Sequence, residues 1–153
     1  LSDKAKSYIT TSRYYLGGYN TNPPITNEMY GYERGTLRYN TDRPLYWEGM
    51  VGLMYPSDYG YAAGNTCVTG TKLYDYEGGC MNKDWLYISN TYQWLMSPYS
   101  GNSHGAFDVY SSGYVYVNGH VRDAGSARPV FYLNSSASIS EGEGTSAAPY
   151  ILS

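Results

Sequence analysis

At 153 residues the chain is sized for one domain, spanning 1–153, around one hydrophobic core. A net charge of −3 and a charged content of 15% give no basic footprint, which argues against nucleic acid and against membrane contact by this domain. Aromatic residues at 17% exclude a disordered chain.

Tyrosine is the compositional signal, with 21 residues against 2 Phe and 3 Trp. A buried phenol needs a hydrogen-bond partner, so a core does not require this many. Many of the rings are therefore expected at the surface, where Tyr offers contact area and a polar handle at small entropic cost. That is the composition of a binding surface.

In chain order, Asp3 to Leu16 reads as a helix, with Ser2 or Asp3 as cap, one stripe through Ala5, Tyr8, Ile9, Ser12, Tyr15 and Leu16, and Gly17-Gly18 as its end. A second helix is expected over Asn27 to Arg34, capped by Thr26 and stopped by Gly35. From Leu37 onward the pattern changes to short strands and turns. Gly49 to Tyr55 reads as a buried strand, and Pro56-Ser57-Asp58 opens a turn or one helical turn through Ala63. Asn65 to Asn82 reads as irregular loop, and Trp85 to Ile88 and Tyr92 to Met96 as aromatic strands. Trp85 and Trp94 are expected in the core, with stacking on a sugar as the sharper alternative.

Ala106 to Tyr110, Ser111-Ser112-Gly113 and Tyr114 to Asn118 give a strand, turn and strand. Alternation sends Phe107, Val109, Val115 and Val117 to one face, and Ala106, Asp108, Tyr110, Tyr114, Tyr116 and Asn118 to the other. Gly119 to Ser126 reads as loop and Pro129 to Leu133 as a strand. A Ser/Gly/Ala-rich stretch then leads to an edge strand at Tyr150 to Leu152. Two helices followed by many short strands indicate an α+β domain.

Cys67 and Cys80 bracket a Gly-rich segment with no His or further Cys nearby, and read as a disulfide rather than as two free thiols. Closing so short a loop stabilises by roughly 3 kcal/mol in the chain-entropy picture. His104 and His120 sit in Gly/Ser/Asn-rich loops without a nucleophile elbow and read as surface residues. Asp108 and Asp123 can pair as acid and base across a hairpin, as many carboxylates can. Glu141-Gly142-Glu143-Gly144 lacks the alternating oxygen ligands of a calcium loop. No cofactor, metal or catalytic residue is expected. Arg128 reads as a structural cation rather than a ligand contact. Asn134-Ser135-Ser136 matches a glycosylation acceptor. The opening at Leu1 leaves room for an upstream export or pilin-type helix.

Tyr92 to Ser100 (YQWLMSPYS), the Tyr/Ser/Asn-rich hairpin and Ala127 to Leu133 (ARPVFYL) together resemble a block in bacterial surface proteins of the gut Firmicutes type. That block is similar to the C-terminal half of C-type-lectin-like folds in formylglycine-generating-enzyme-like proteins and in the variable proteins of diversity-generating retroelements. Tyr14 to Gly18, Tyr32 to Thr36 and Leu53 to Tyr61 resemble pilin-like surface proteins. The sequence departs from these patterns at Ser126-Ala127, where the block more often reads Gly-Val. It also lacks the calcium-dependent sugar-binding tripeptides of animal lectins and a counterpart of the formylglycine-generating cysteine pair.

The resemblance implies a C-type-lectin-like fold and an extracellular, cell-surface location. It also implies a binding face diversified at adenine-rich codons, which drift from Asn to Tyr, Ser, Asp, His, Ala and Gly. The expected ligand-binding residues are Tyr99, Asn102, His104, Asp108, Tyr110, Tyr114, Tyr116, Asn118, His120 and Asp123. The partner would be a protein or glycan on another cell or phage. A structural pilin subunit packing through its Tyr face is the alternative, and behind both stands an enzyme acting on polysaccharide.

Overall fold

The computed structural model describes residues 2–34, 44–145 and 147–153. The domain is mixed α/β, with short helices and several small sheets.

Helix α1 is only Asp3–Ser7, capped by Ser2, whose Oγ accepts from the Ala5 N–H at 3.1 Å. The expected helix to Leu16 does not form. Residues 9–15 run instead as β1 (Ile9–Thr10) and β2 (Ser12–Tyr15). Ile9, Thr10 and Thr11 are β-branched and favour extended backbone, and the extended register sends Tyr14 into the core at 1% exposure. Gly17 is therefore no helix stop. It packs where a Cβ would collide with the Tyr32 carbonyl.

Helix α2 (Thr26–Glu33) starts one residue early. Thr26 is not its cap but a buried first residue whose hydroxyl bonds with the Tyr76 hydroxyl at 3.0 Å. The expected stop at Gly35 and the change of pattern at Leu37 lie outside the described residues. The strand expected over 49–55 is broken at Met50-Val51. β3 (Tyr46–Gly49) pairs with β2, and β4 (Gly52–Leu53) pairs elsewhere. Helix α3 (Pro56–Ala62) follows, where Asp58 accepts from the Tyr55 N–H at 2.8 Å. Glu33 is fully buried beneath α3 and accepts from the Ser57 N–H at 2.9 Å and from the Ser57 hydroxyl. Burial still pushes its carboxyl up to about 8.

The segment 65–82 is not irregular. It holds α4 (Asn65–Gly70) and two 3-10 turns, Leu73–Asp75 and Met81–Lys83. A disulfide joins Cys67 of α4 to Cys80, with Cα atoms 5.7 Å apart. Trp85 to Ile88 forms no strand, because the Asp84 carboxylate accepts from the Leu86 N–H at 2.8 Å and turns the chain. Trp85 consequently lies in solvent at 78% exposure rather than in the core.

The main sheet has the order β7-β6-β5-β8, formed by β5 (Gln93–Pro98), β6 (Gly105–Val109), β7 (Val115–His120) and β8 (Ser126–Ala127). β8 runs parallel to β5, and the other neighbours are antiparallel. The strand expected over 129–133 divides into β9 (Pro129–Val130), on β4, and β10 (Tyr132–Leu133), on β1. β11 (Ile139–Glu141) pairs with β12 (Ile151–Leu152), the expected edge strand. Leu152 shares a shallow depression with Ser2, Lys4, Ala5 and Ile9, so residues from both ends of the chain meet.

The core joins Met29, Met54, Leu73 and the disulfide to Leu95, Phe107, Val109, Val115 and Val117 from the sheet. Among the described residues four tyrosines are buried, and each hydroxyl donates to a backbone carbonyl: Tyr14 to Val130 at 3.1 Å, Tyr55 to Tyr15 at 3.0 Å, Tyr59 to Gly113 at 2.7 Å and Tyr76 to Gly60 at 3.1 Å. No helix among the described residues is long and apolar enough to cross a membrane.

Candidate ligand-binding site

The β6–β7 hairpin splits its side chains as alternation requires. Phe107, Val109 and Val115 are fully buried and Val117 nearly so, while Tyr110, Tyr114, Tyr116 and Asn118 face outward and are half-buried. Its tip is held from several directions. The Tyr110 N–H donates to the Tyr114 carbonyl and the Gly113 N–H to the Tyr110 carbonyl, both at 2.8 Å. Gly113 sits at φ 91°, where glycine is favoured. From outside the hairpin, Tyr59 and Tyr87 donate to the Gly113 and Ser111 carbonyls at 2.7 Å, and Ser112 donates to Glu77 at 2.8 Å. The outward rings thus stand on a fixed platform.

These rings form the wall of a depression of about 480 Å³. Tyr110 and Tyr114 stack with centroids 4.9 Å apart and planes 22° apart. Tyr92 meets Tyr110 edge-on at 4.8 Å, and Tyr116 stands 6.0 Å from Tyr110. Tyr74 continues the row, 5.4 Å from Tyr114. Burial and the neighbouring Tyr110 push the Tyr114 hydroxyl up to about 12.

Trp94 and Asp108 form the floor, as cross-strand neighbours on β5 and β6. β7 carries one residue more than β6 between the pairs Asp108–Tyr116 and Ala106–Gly119, a bulge that brings Gly119 over them. A Cβ on Gly119 would collide with Asp108 Oδ2 and lie 2.9 Å from the Trp94 ring. On its other side Trp94 meets Gly125, where a Cβ would lie 2.8 Å from Nε1. Trp94 is therefore half-buried in a slot between two glycines and belongs to the site rather than to the core.

Asp108 is 5% exposed, and its Oδ1 has no hydrogen-bond partner among the described residues. Burial alone pushes its carboxyl up to about 7. Asp123 and His120 stand at the rim, and the exposed contact of Asp123 with Arg122 at 3.8 Å adds little.

Of the expected binding residues, Asp108, Tyr110, Tyr114, Tyr116, Asn118, His120 and Asp123 line this one depression. Tyr99, Asn102 and His104 do not. They gather beside it above Gly105, where a Cβ would lie 2.9 Å from Asn102 Oδ1 and 3.0 Å from Tyr99 Cδ1. Two contacts join this group to the depression. Asn102 Nδ2 donates to Asn118 Oδ1 at 2.9 Å, and His104 stacks on His120 at 4.6 Å. Tyr92 and Trp94 also line the depression; neither is among the expected ligand-binding residues, although stacking on a ligand is the alternative role given to Trp94. Alternation along β5, with Gln93, Leu95 and Ser97 buried, is the signal that points Trp94 outward.

No protein family, curated protein or solved structure matches this chain.

Elsewhere, Arg128 lies close enough to the buried Asp84 to oppose the rise of its carboxyl, which burial nonetheless carries to about 7. Among the described residues no three His, Cys, Asp or Glu side chains come together as metal ligands.

Proposed function

We propose that the chain is an extracellular recognition module that binds a protein or glycan through the aromatic depression of the β5–β6–β7 sheet. The observation that carries this reading is the row of Tyr92, Tyr110, Tyr114 and Tyr116 rings on a hairpin whose tip is pinned by Tyr59, Tyr87 and Glu77. Rigid phenols bury much ligand area at little entropic cost, and neighbouring Asn, Ser and His side chains add adaptable hydrogen bonds. The disulfide is compatible with an oxidising, extracytoplasmic setting.

The finer reading is a C-type-lectin-like domain of a bacterial surface protein, diversified by a retroelement. It rests on the resemblance of residues 92–100 and 127–133, which supply β5 and the strands from β8 to β10. Sequencing the encoding locus tests diversification. It predicts a near-copy of the DNA for residues 95–133, differing at adenines, beside a reverse-transcriptase gene; a locus without one overturns it.

Binding itself is tested with glycan and host-protein arrays. Tyr92→Ala combined with Tyr116→Ala should lower the affinity for any captured partner at least ~100-fold, the size of an interface hot spot. The melting temperature should move by only about 2–4 °C, since both rings are partly exposed. Retained binding would place recognition on another face.

A polysaccharide-acting enzyme draws on Asp108 and Asp123 lining one depression, with the Asp108 carboxyl raised into the range of a general acid. Release of reducing ends from a polysaccharide panel, lost in Asp108→Asn, would establish that reading.

A further inference from the structure

Resting on that reading of the depression as the binding site, we propose that it recognises an organic cation, a substituted ammonium or guanidinium group held among the Tyr rings above the Asp108 carboxyl. Three carboxyls are buried among the described residues: Glu33 accepts from Ser57 with both oxygens, and Asp84 accepts from the Leu86 N–H and feels Arg128, although its Oδ2 is unpartnered. Asp108 has neither a donor nor a counter-charge among the described residues, and its Oδ1 is unpartnered there. A carboxyl in that position is a buried acceptor awaiting positive charge.

The surroundings select the same chemistry. The depression is walled by phenol rings over an indole, whose electron-rich faces attract cations. The fold already uses this attraction, with the Arg34 guanidinium 3.8 Å from the Tyr55 ring centroid and Arg13 3.9 Å from that of Tyr46. Among the described residues no Lys or Arg lines the depression, while two carboxyls do, so an anion finds no partner among them. Its volume of about 480 Å³ falls within the ~300–1,000 Å³ of small-molecule sites.

The groups facing Asp108 also set how binding responds to pH. Trp94 on β5 does not titrate, and Tyr116 lies opposite on β7. Tyr110 follows just past the end of β6; its phenol is raised chiefly by its hydrogen bond with Tyr92 and in part by the Asp108 charge. His120 and Asp123 complete the rim. Near neutral pH the empty site holds Asp108 partly protonated, and a cation favours the ionised form. Binding therefore releases a proton, and affinity rises with pH up to about 7.

The test is isothermal titration calorimetry of the full chain with choline and with its neutral isostere 3,3-dimethylbutan-1-ol. N-acetyl-arginine amide and N-acetyl-lysine amide separate a side chain presented by a protein from a free small cation, and preference for either supports the proposal. Choline or one of the amides should bind at least ~10-fold more tightly than the isostere. At pH 7, two buffers of different ionisation enthalpy should report a fraction of a proton released per cation bound. Asp108→Asn should weaken cation binding about 10-fold and leave the isostere unchanged. The proton measurement uses the unaltered protein, so it holds even if that variant fails to fold. Equal affinity for cation and isostere, or no proton release, overturns cation recognition. If no cation binds while array partners are still lost in the Tyr92→Ala, Tyr116→Ala variant, this inference falls and the recognition reading survives. If the arrays also yield nothing, both fall.

Discussion

Tyr59 and Tyr116 use the same side chain for opposite ends. Tyr59 is wholly buried among Met29, Leu73 and Tyr76, and its hydroxyl reaches the Gly113 carbonyl at the hairpin tip. Burial drives that hydroxyl far above the ordinary tyrosine range, so it remains a donor. Tyr59→Phe keeps the ring and orphans the carbonyl, and should cost about 1–2 kcal/mol in urea denaturation. A loss below a few tenths would mean that water replaces the hydroxyl. Composition announced the surplus of tyrosines but not which four are buried. Tyr14 sits in TTSRYY, where a helical stripe and an extended alternation both fit, and the choice is made by Trp47 across β3 and by the Val130 carbonyl.

At the scale of elements, the hairpin was legible because nothing distant is needed to read it. Two alternating runs around Ser-Ser-Gly specify the turn and the two faces together. The floor of the site was not legible. Trp94 reaches Asp108 only through the β5–β6 pairing, and Gly119 comes over both only because of a bulge on β7. The short helices of 65–82 were hidden for a similar reason. Gly64 at φ 86° begins α4 and Gly70 ends it, leaving too few residues for a period to show. The Cys67–Cys80 disulfide staples this segment beneath the hairpin, since both cysteines pack in the core with Val115 and Val117. Cys67→Ser with Cys80→Ser should cost about 3 kcal/mol of unfolding free energy. Reductant should lower the denaturation midpoint of the parent protein and leave that of the variant unmoved; a parent indifferent to reductant would contradict the staple.

For the molecule as a whole, Glu33, Asp84 and Asp108 impose a common pH dependence. Their carboxyls are raised to about 8, 7 and 7 from starting values of 4.5, 3.8 and 3.8. Between pH 4 and 8 the folded chain thus keeps protons that the unfolded chain has already released. Unfolding sheds them, so rising pH favours unfolding. The melting temperature should be highest near pH 4–5 and fall steadily toward pH 8, and Glu33→Gln should flatten part of that slope. A melting temperature that rises over this range would refute the assignment. The α+β class was readable from the order of elements, but the closure was not. β1 on β10 joins segments more than a hundred residues apart in number, Ile9 with Leu133, and β4 on β9 joins segments more than seventy apart, Gly52 with Val130, through backbone hydrogen bonds that no local pattern encodes.

That closure has an architectural consequence. Because Leu152 lines the same depression as Ser2, Lys4 and Ile9, residues 2 and 153 lie on one side of the fold rather than at two poles. The domain can therefore be spliced into a surface loop of a carrier protein, entering and leaving at one place, with only a short linker on either side. A circular permutant joining residues 2 and 153 and reopened at the exposed Gly78-Gly79 turn, within the span closed by the disulfide, would retain every strand. The aromatic depression would then be carried as a cartridge, interchangeable among hosts without change to the platform beneath it.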